Sequence, residues 1–294
     1  MTNDLPRPTD ALSRGIFMMC FAVLSFAAMN TFTKELRPEL PVIVIIWGRY
    51  FFHLLLIFVM FPRRIPTLLH IQDKYLQIVR SVLVLLATAC MFFALGFMPL
   101  ADAVAITFVA PLLIVALSAV FLREAVGTRR WGAVIVGFIG VMVIIRPGAG
   151  AFQIAALLPL ACALCYAIFQ ILTRLISHRS DPLNMLFYTA VTGAILMTAI
   201  VPFSWQTPSN DQWLMLIAIG LLGGLGHYAL IRAYERSETS LVAPFAYTEI
   251  IWATLLGFIV FGDFPDIYTF AGTAIIIASG VYILQRERKS RSIV

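Results

Sequence analysis

The chain has 294 residues, of which 61% are hydrophobic and 12% charged, with a mean hydropathy of +0.93. Soluble domains carry about 25% charged and about 45–50% apolar residues, so the composition excludes a soluble globular protein and indicates a polytopic membrane protein. A net charge of +6 would suggest a nucleic-acid partner in a soluble chain. Here the positive residues fall between apolar runs, where membrane orientation accounts for them, and no nucleic acid is expected.

Residues 1–14 are polar, contain Pro6 and Pro8, and read as a disordered cytoplasmic N-terminus. The apolar run that follows reaches Phe32. It is longer than a signal-peptide core and no A-x-A site follows it, so it reads as a retained helix. Spanning a bilayer takes about 20 apolar residues, and ten stretches qualify. In chain order they are Gly15–Thr33, Pro41–Phe61, Tyr75–Phe97, Ala101–Leu122, Arg130–Ile145, Phe152–Leu175, Pro182–Phe203, Gln212–Tyr234, Thr239–Gly262 and Tyr268–Leu284. Short connectors marked by Pro or Gly separate them, which makes consecutive helices antiparallel neighbours. A basic tail, 286–294, follows the last span.

With the N-terminus in the cytoplasm, sixteen of the 21 Lys and Arg lie on the cytoplasmic side. Lys34, Arg37 and Arg146 lie opposite, and Arg49 and Arg80 lie inside spans. This asymmetry predicts that both termini are cytoplasmic. Arg80 is close enough to its span's end to snorkel to the interface. Cys162 and Cys165 have redox-motif spacing, but no thioredoxin-like pattern surrounds them, and buried free Cys packs as a small hydrophobe.

Sliding the chain by just under half its length, at a nearly constant offset, aligns its halves. Ser25-Phe26-Ala27 meets Cys165-Tyr166-Ala167, Asn30 meets Gln170, Lys34 meets Arg174, and Glu124 meets Asp263. The halves, 15–147 and 150–285, hold five spans each. Five is odd, so the second enters the membrane from the opposite side. The fold class read from the sequence is therefore all-α integral membrane, ten transmembrane helices as two inverted five-helix repeats. Such repeats are a hallmark of secondary transporters, with the substrate site near the midplane and access alternating as one half rocks against the other. Gly220 and Gly224 share one face of the eighth span, as a packing face or a hinge.

The motifs Ala101-x-Ala103, Ala110-Pro111, Phe121-Leu122-Arg123-Glu124, Gly132 and Gly140-Val141 recur as Ser240-Leu-Val-Ala243-Pro244, Tyr247, Gly257, Phe261-Gly262-Asp263, Gly272 and Gly280-Val281. On these motifs, over nearly the whole chain, the sequence resembles the drug/metabolite transporter superfamily, EamA type. The resemblance implies a ten-helix carrier of the bacterial inner membrane with a central cavity. Family activities include export of metabolites or amino acids and uptake of S-adenosylmethionine or riboflavin. Asp263 stands where the family more often has Glu. Glu249 is outside the family pattern, so the resemblance gives it no role.

Ionisable residues at membrane depth are functional-site hypotheses. Glu249 lies near the middle of the ninth span, and its repeat mate is Ala110. Arg49 lies eight residues into the second span, with His53 one turn on and Trp47 and Tyr50 beside it. Two readings stand. Either Arg49 and Glu249 face one cavity and pair when substrate is absent, or Arg49 clamps backbone carbonyls and Glu249 is protonated. In the first, Glu249 couples protons or recognises a cationic or hydrogen-bonding group. Aromatic residues at cavity depth are Trp47, Phe92, Tyr166, Tyr188, Tyr228, Tyr247 and Trp252, as cavity wall or ordinary core. Asn30 and Gln170 either bond across helices or line the mouths of the pathway. His227 is a cavity or a packing residue, and Glu124 and Asp263 can cap the helices that follow them.

The expected partners are a small-molecule substrate, the bilayer, and protons or a counter-solute, in a monomer or homodimer. No cofactor or metal is expected. An intramembrane enzyme is the weaker reading, since H-E-x-x-H, G-x-S-x-G and metal-ligand clusters are missing. A membrane scaffold or sensor is the other.

Overall fold

Inside a bilayer a backbone N–H or C=O has no water to bond, so each apolar run must satisfy its own backbone as a helix. The computed structural model describes residues 8–68, 73–121, 127–146, 152–176, 179–236 and 239–291, and among them the regular structure is helical throughout. The principal helices are α1 (Pro8–Leu36), α2 (Val42–Met60), α3 (Lys74–Ala94), α4 (Leu100–Thr107), α5 (Ala110–Phe121), α6 (Thr128–Ile145), α7 (Leu157–Ile176), α8 (Pro182–Ile200), α9 (Asn210–Arg236), α10 (Glu249–Phe261) and α11 (Ile267–Arg291). Ten spans long and apolar enough to cross a membrane are present among the described residues, matching the ten expected. The chain is an all-α multi-pass membrane protein. Residues 8–14 are helical, a correction to the disorder expected there; Pro8 suits a first helical turn, whose N–H groups have no intrahelical partner.

Local chemistry sets the helix ends. Pro41 and Pro99 precede α2 and α4, and Pro182 opens α8, where the Asp181 carboxylate accepts the Leu183 N–H at 2.9 Å. Gly262 closes α10 with φ 73°, a left-handed position that glycine adopts without strain. The connector holding Glu124 lies outside the described residues, so its capping role is not described.

Among the described residues the sixth span starts with a separate short helix, Phe152–Ala155, ahead of α7, and the fourth and ninth spans break around a proline. The fourth breaks between α4 and α5, because Pro111 has no N–H for the Thr107 carbonyl and its ring crowds that turn. The Phe108 and Val109 N–H groups bond three residues back instead, each at 3.2 Å. The ninth span runs as a short helix Thr239–Val242, a 3-10 segment Ala243–Thr248 containing Pro244, and then α10. The uninterrupted ninth helix expected over Thr239–Gly262 is thereby corrected. The second parts of the two broken spans begin at Ala110 and Glu249, the positions that the repeat alignment brings together.

Packing has the pattern that exchanging the two halves requires. Contact of α1 with α9 is matched by α7 with α3, and that of α2 with α9 by α8 with α3. The contact of α1 with α10 is matched by α7 with α4 and α5, while α2 meets α8 and α6 meets α11. This is consistent with inverted repeats. At the α6–α11 crossing a Cβ on Gly140 would stand 2.8 Å from the Gly272 carbonyl, so the helices touch through backbone. The Gly220–Gly224 face of α9 packs on α2: a Cβ on Gly220 would meet Phe52 at 2.4 Å, and one on Gly224 would meet His53 at 2.8 Å. Of the two readings of this glycine face, the structure gives packing.

Arg80 does not snorkel. It is 3% exposed; its guanidinium donates to Thr173 Oγ1 at 3.2 Å, Thr189 Oγ1 at 3.0 Å and the Met185 carbonyl, and lies 4.9 Å over the Phe169 ring. It clamps α3 to α7 and α8. This corrects the expectation from its position along the span: an inward-facing guanidinium with three oxygen acceptors in reach has no reason to leave the interior.

Candidate functional site

Glu249 is the first residue of α10 and keeps part of its surface accessible. The 3-10 segment delivers it there, steadied by the Thr248 hydroxyl donating to the Phe245 carbonyl at 2.7 Å. A carboxylate in the first turn of a helix sits at the positive end of its dipole. Glu249 has no ion-pair partner among the described residues. The helix it opens packs on α1 and α4. Its sequence neighbours pack into the protein. Tyr247 is buried against Phe108, ring centroids 5.2 Å apart, with its hydroxyl pressed on Gly280. Trp252 packs with the cluster of Met19, Val23, Ala233 and Val242.

Arg49 is 4% exposed and His53 1%. The expected pair with Glu249 is not formed. Arg49 points from α2 toward Met29 of α1 and Gly223 of α9, while Glu249 opens a helix packed on α1 and α4. The carbonyl clamp expected as the alternative is not formed by Arg49 either; its one hydrogen bond among the described residues runs from Nε to the Met29 sulfur at 3.4 Å. The guanidinium lies 4.6 Å over the Tyr50 ring and 6.0 Å from the centroid of Phe92, and Nη1 is buried without a partner. Both ring nitrogens of His53 are likewise buried and unpartnered. Its ring lies 6.2 Å from that of His227, whose Nδ1 stands 2.9 Å from the Gly223 carbonyl. His227 thus joins Arg49 and His53 in one polar group among α1, α2 and α9.

The other candidates are dispersed. Trp47 donates to Thr198 Oγ1 at 3.1 Å and belongs to an aromatic cluster with Phe51, Trp205 and Trp213. Tyr228 lies with Phe61, Arg64, Asp181 and Arg232 around a small cavity of about 80 Å³, and Tyr188 packs beside it on Phe187. Asn30 is buried with its side-chain oxygen unpartnered, and Gln170 donates to the Tyr166 hydroxyl at 3.2 Å. Cys162 and Cys165 are free thiols.

Some residues at or near the site are not legible as such in the sequence. Met29 is apolar, yet it is the contact that orients Arg49. At one end of the bundle Lys34 pairs with Asp263 and Arg146 with Asp266, while buried Asp102 accepts from the Thr269 hydroxyl at 2.8 Å. The offset that pairs Lys34 with Arg174 and Glu124 with Asp263 is the available signal for the first of these.

Ten apolar spans among the described residues, two of them interrupted around Pro111 and Pro244, with a carboxylate at one break and an unneutralised guanidinium in the interior, define an integral membrane protein built like a solute carrier. The sequence comparisons agree: residues 13–146 and 153–285 match the EamA-like transporter family, and the chain belongs to that family. An S-adenosylmethionine uptake transporter of Rickettsia felis is 27% identical over 280 residues, covering 95% of each chain. A riboflavin transporter of Vibrio cholerae is 30% identical over 288 residues, covering 94% of each. A pseudopaline exporter of Pseudomonas aeruginosa is 27% identical over 282 residues, covering 95% of this chain and 99% of its own. A solved crystal structure aligns with a TM-score of 0.64 at 19% identity, covering 95% of this chain and 98% of its own, which supports the fold. The relatives' names support a transport function.

Proposed function

We propose that the protein is a secondary carrier that moves a small organic metabolite across the bacterial inner membrane by alternating access, with both termini cytoplasmic. The observation that carries this reading is the break of the ninth span at Glu249. Discontinuous helices at mid-membrane are where carriers of this kind expose backbone and polar groups to solute and coupling ion. The aligned relatives, named for S-adenosylmethionine, riboflavin and pseudopaline, support an organic solute and leave direction open. Without a nucleotide-binding motif in the sequence, the energy comes from a solute or proton gradient or from exchange. Purified protein in proteoliposomes, offered radiolabelled S-adenosylmethionine, riboflavin and the amino acids, is expected to give saturable flux of at least one solute, recovered unchanged. Covalent alteration of the solute by the protein would overturn the reading.

A further inference from the structure

A guanidinium keeps its charge at any physiological pH, and burying it without a counter-charge costs several kcal/mol. Arg80 and Arg49 are equally buried and solve this differently. Arg80 gives Nη1 and Nη2 to three protein oxygens and leaves only Nε unpartnered. Arg49 has one long contact to a thioether sulfur, a soft and weak acceptor, and otherwise lies over aromatic faces. Nε is directed at Met29, and Nη1 is buried with no partner among the described residues.

The surroundings repeat that incompleteness. His53, one helical turn from Arg49, has two buried ring nitrogens with no partner. His227, its ring 6.2 Å from that of His53, sets Nδ1 against the Gly223 carbonyl of its own helix. Gly223 lets α9 approach this group closely: a Cβ there would lie 3.1 Å from the Met29 sulfur and 3.5 Å from Arg49 Nε. Buried polar groups are nearly always satisfied, and several orphans in one place call for a missing partner.

We infer that Arg49, with His53 and His227 beside it, is a carboxylate subsite of the substrate pathway, so that the substrate is an organic solute bearing a carboxylate. The inference rests on the carrier reading above. A carboxylate fits the Nη1/Nη2 edge by two parallel hydrogen bonds and neutralises one positive charge with one negative charge. A phosphate dianion would leave excess negative charge among apolar walls of Tyr50, Phe92 and Met29.

The test is ligand binding to purified protein in nanodiscs, measured by isothermal titration. The probes are the twenty amino acids, S-adenosylmethionine and riboflavin, and for the tightest amino-acid ligand its carboxamide. At least one probe bearing a carboxylate is expected to bind. Replacing its carboxylate by carboxamide, or Arg49→Gln in the protein, should each weaken binding by about tenfold or more, and the two together by no more than either alone. Arg49→Lys, which keeps the charge and loses the fork, should recover part of the loss. Riboflavin as the tightest probe, equal binding of acid and carboxamide, or unchanged affinity in Arg49→Gln would overturn the inference. Flux in proteoliposomes separates this from the carrier reading. Flux of a solute indifferent to Arg49 sinks the subsite alone, whereas carboxylate-dependent binding without any flux sinks the carrier alone.

Discussion

Glu249 begins α10 as Ala110 begins α5 in the first half of the chain. The two halves of the protein place their helix breaks in register, and at the matching position one carries a carboxylate and the other a methyl group. A feature of the shared scaffold would be kept in both copies. The break is common to both repeats and the charge is not, which separates architecture from solute chemistry.

Arg80 holds the scaffold and Arg49 does not. Arg80→Ala removes the donors of three buried acceptors, which costs about 2–3 kcal/mol and lowers the thermal midpoint in detergent. Arg49→Met replaces an orphaned cation by an apolar chain of similar length, and leaves that midpoint unchanged or raised. Thermal unfolding of both variants beside the wild type checks the contrast. The opposite ranking would make Arg49 the structural residue.

The α6–α11 crossing tolerates no side chain at its centre. A Cβ at Gly272 would stand 2.5 Å from the Gly140 carbonyl, and one at Gly140 2.8 Å from that of Gly272, while a Cβ at Gly132 meets nothing within 4 Å. Gly140→Val is expected to destabilise by about 1–3 kcal/mol through overpacking. Gly132→Ala is expected to be neutral, although the two glycines belong to one motif. Expression yield and thermal midpoint of both variants decide it.

Lys34 and Asp263 tie the two halves together at one end of the bundle. If the halves rock, this tie must open once per cycle. In a variant lacking the four native cysteines, a disulfide between Lys34→Cys and Asp263→Cys should stop flux, and reductant should restore it. Full flux with the disulfide intact would show that this end does not move.

The Arg146–Asp266 pair predicts a pH response. Burial alone would raise the Asp266 pKa, but the Thr269 N–H at 2.9 Å and the Arg146 guanidinium outweigh it and hold the carboxyl below its ordinary value of 3.8. A depressed carboxyl pKa contributes stability that is fully present above that ordinary value and is lost as pH falls through the folded one. Between pH 5 and pH 8, about where most assays run, this contribution is flat. Below it the wild type loses stability that Asp266→Asn never had, so their midpoints converge in acid. Parallel midpoints across the whole range would remove Asp266 from the account.

The ten spans are legible in the sequence because lipid imposes a length and a composition that any spanning segment must meet. The two five-span halves are legible because their motifs recur at a nearly constant offset, and the helix contacts are consistent with the inverted insertion that an odd number of spans per half implies. What the sequence conceals depends on which helix lies beside which. Position along a span gives the depth of Arg49 and Arg80 but not their surroundings, so Arg80 reads as interfacial although Thr173, Met185 and Thr189 enclose it. Equal depth suggests that Arg49 meets Glu249; Arg49 lies against Met29 of α1, while Glu249 opens a helix packed on α1 and α4. Pro111 and Pro244 are visible as motif residues, but reading them as breaks requires the backbone. Trp47 reads as cavity wall and instead joins Trp205 and Trp213, which belong to the other half of the chain.

The most direct measurement is exchange of a radiolabelled solute in proteoliposomes by wild type and Glu249→Gln, with insertion checked by equal protein content. Loss of one charge-assisted contact of about 1.5–3 kcal/mol predicts an exchange rate lowered by about tenfold or more in the variant, with saturable exchange in the wild type. Wild-type exchange in Glu249→Gln would contradict a role for the ninth-span carboxylate in solute or proton handling.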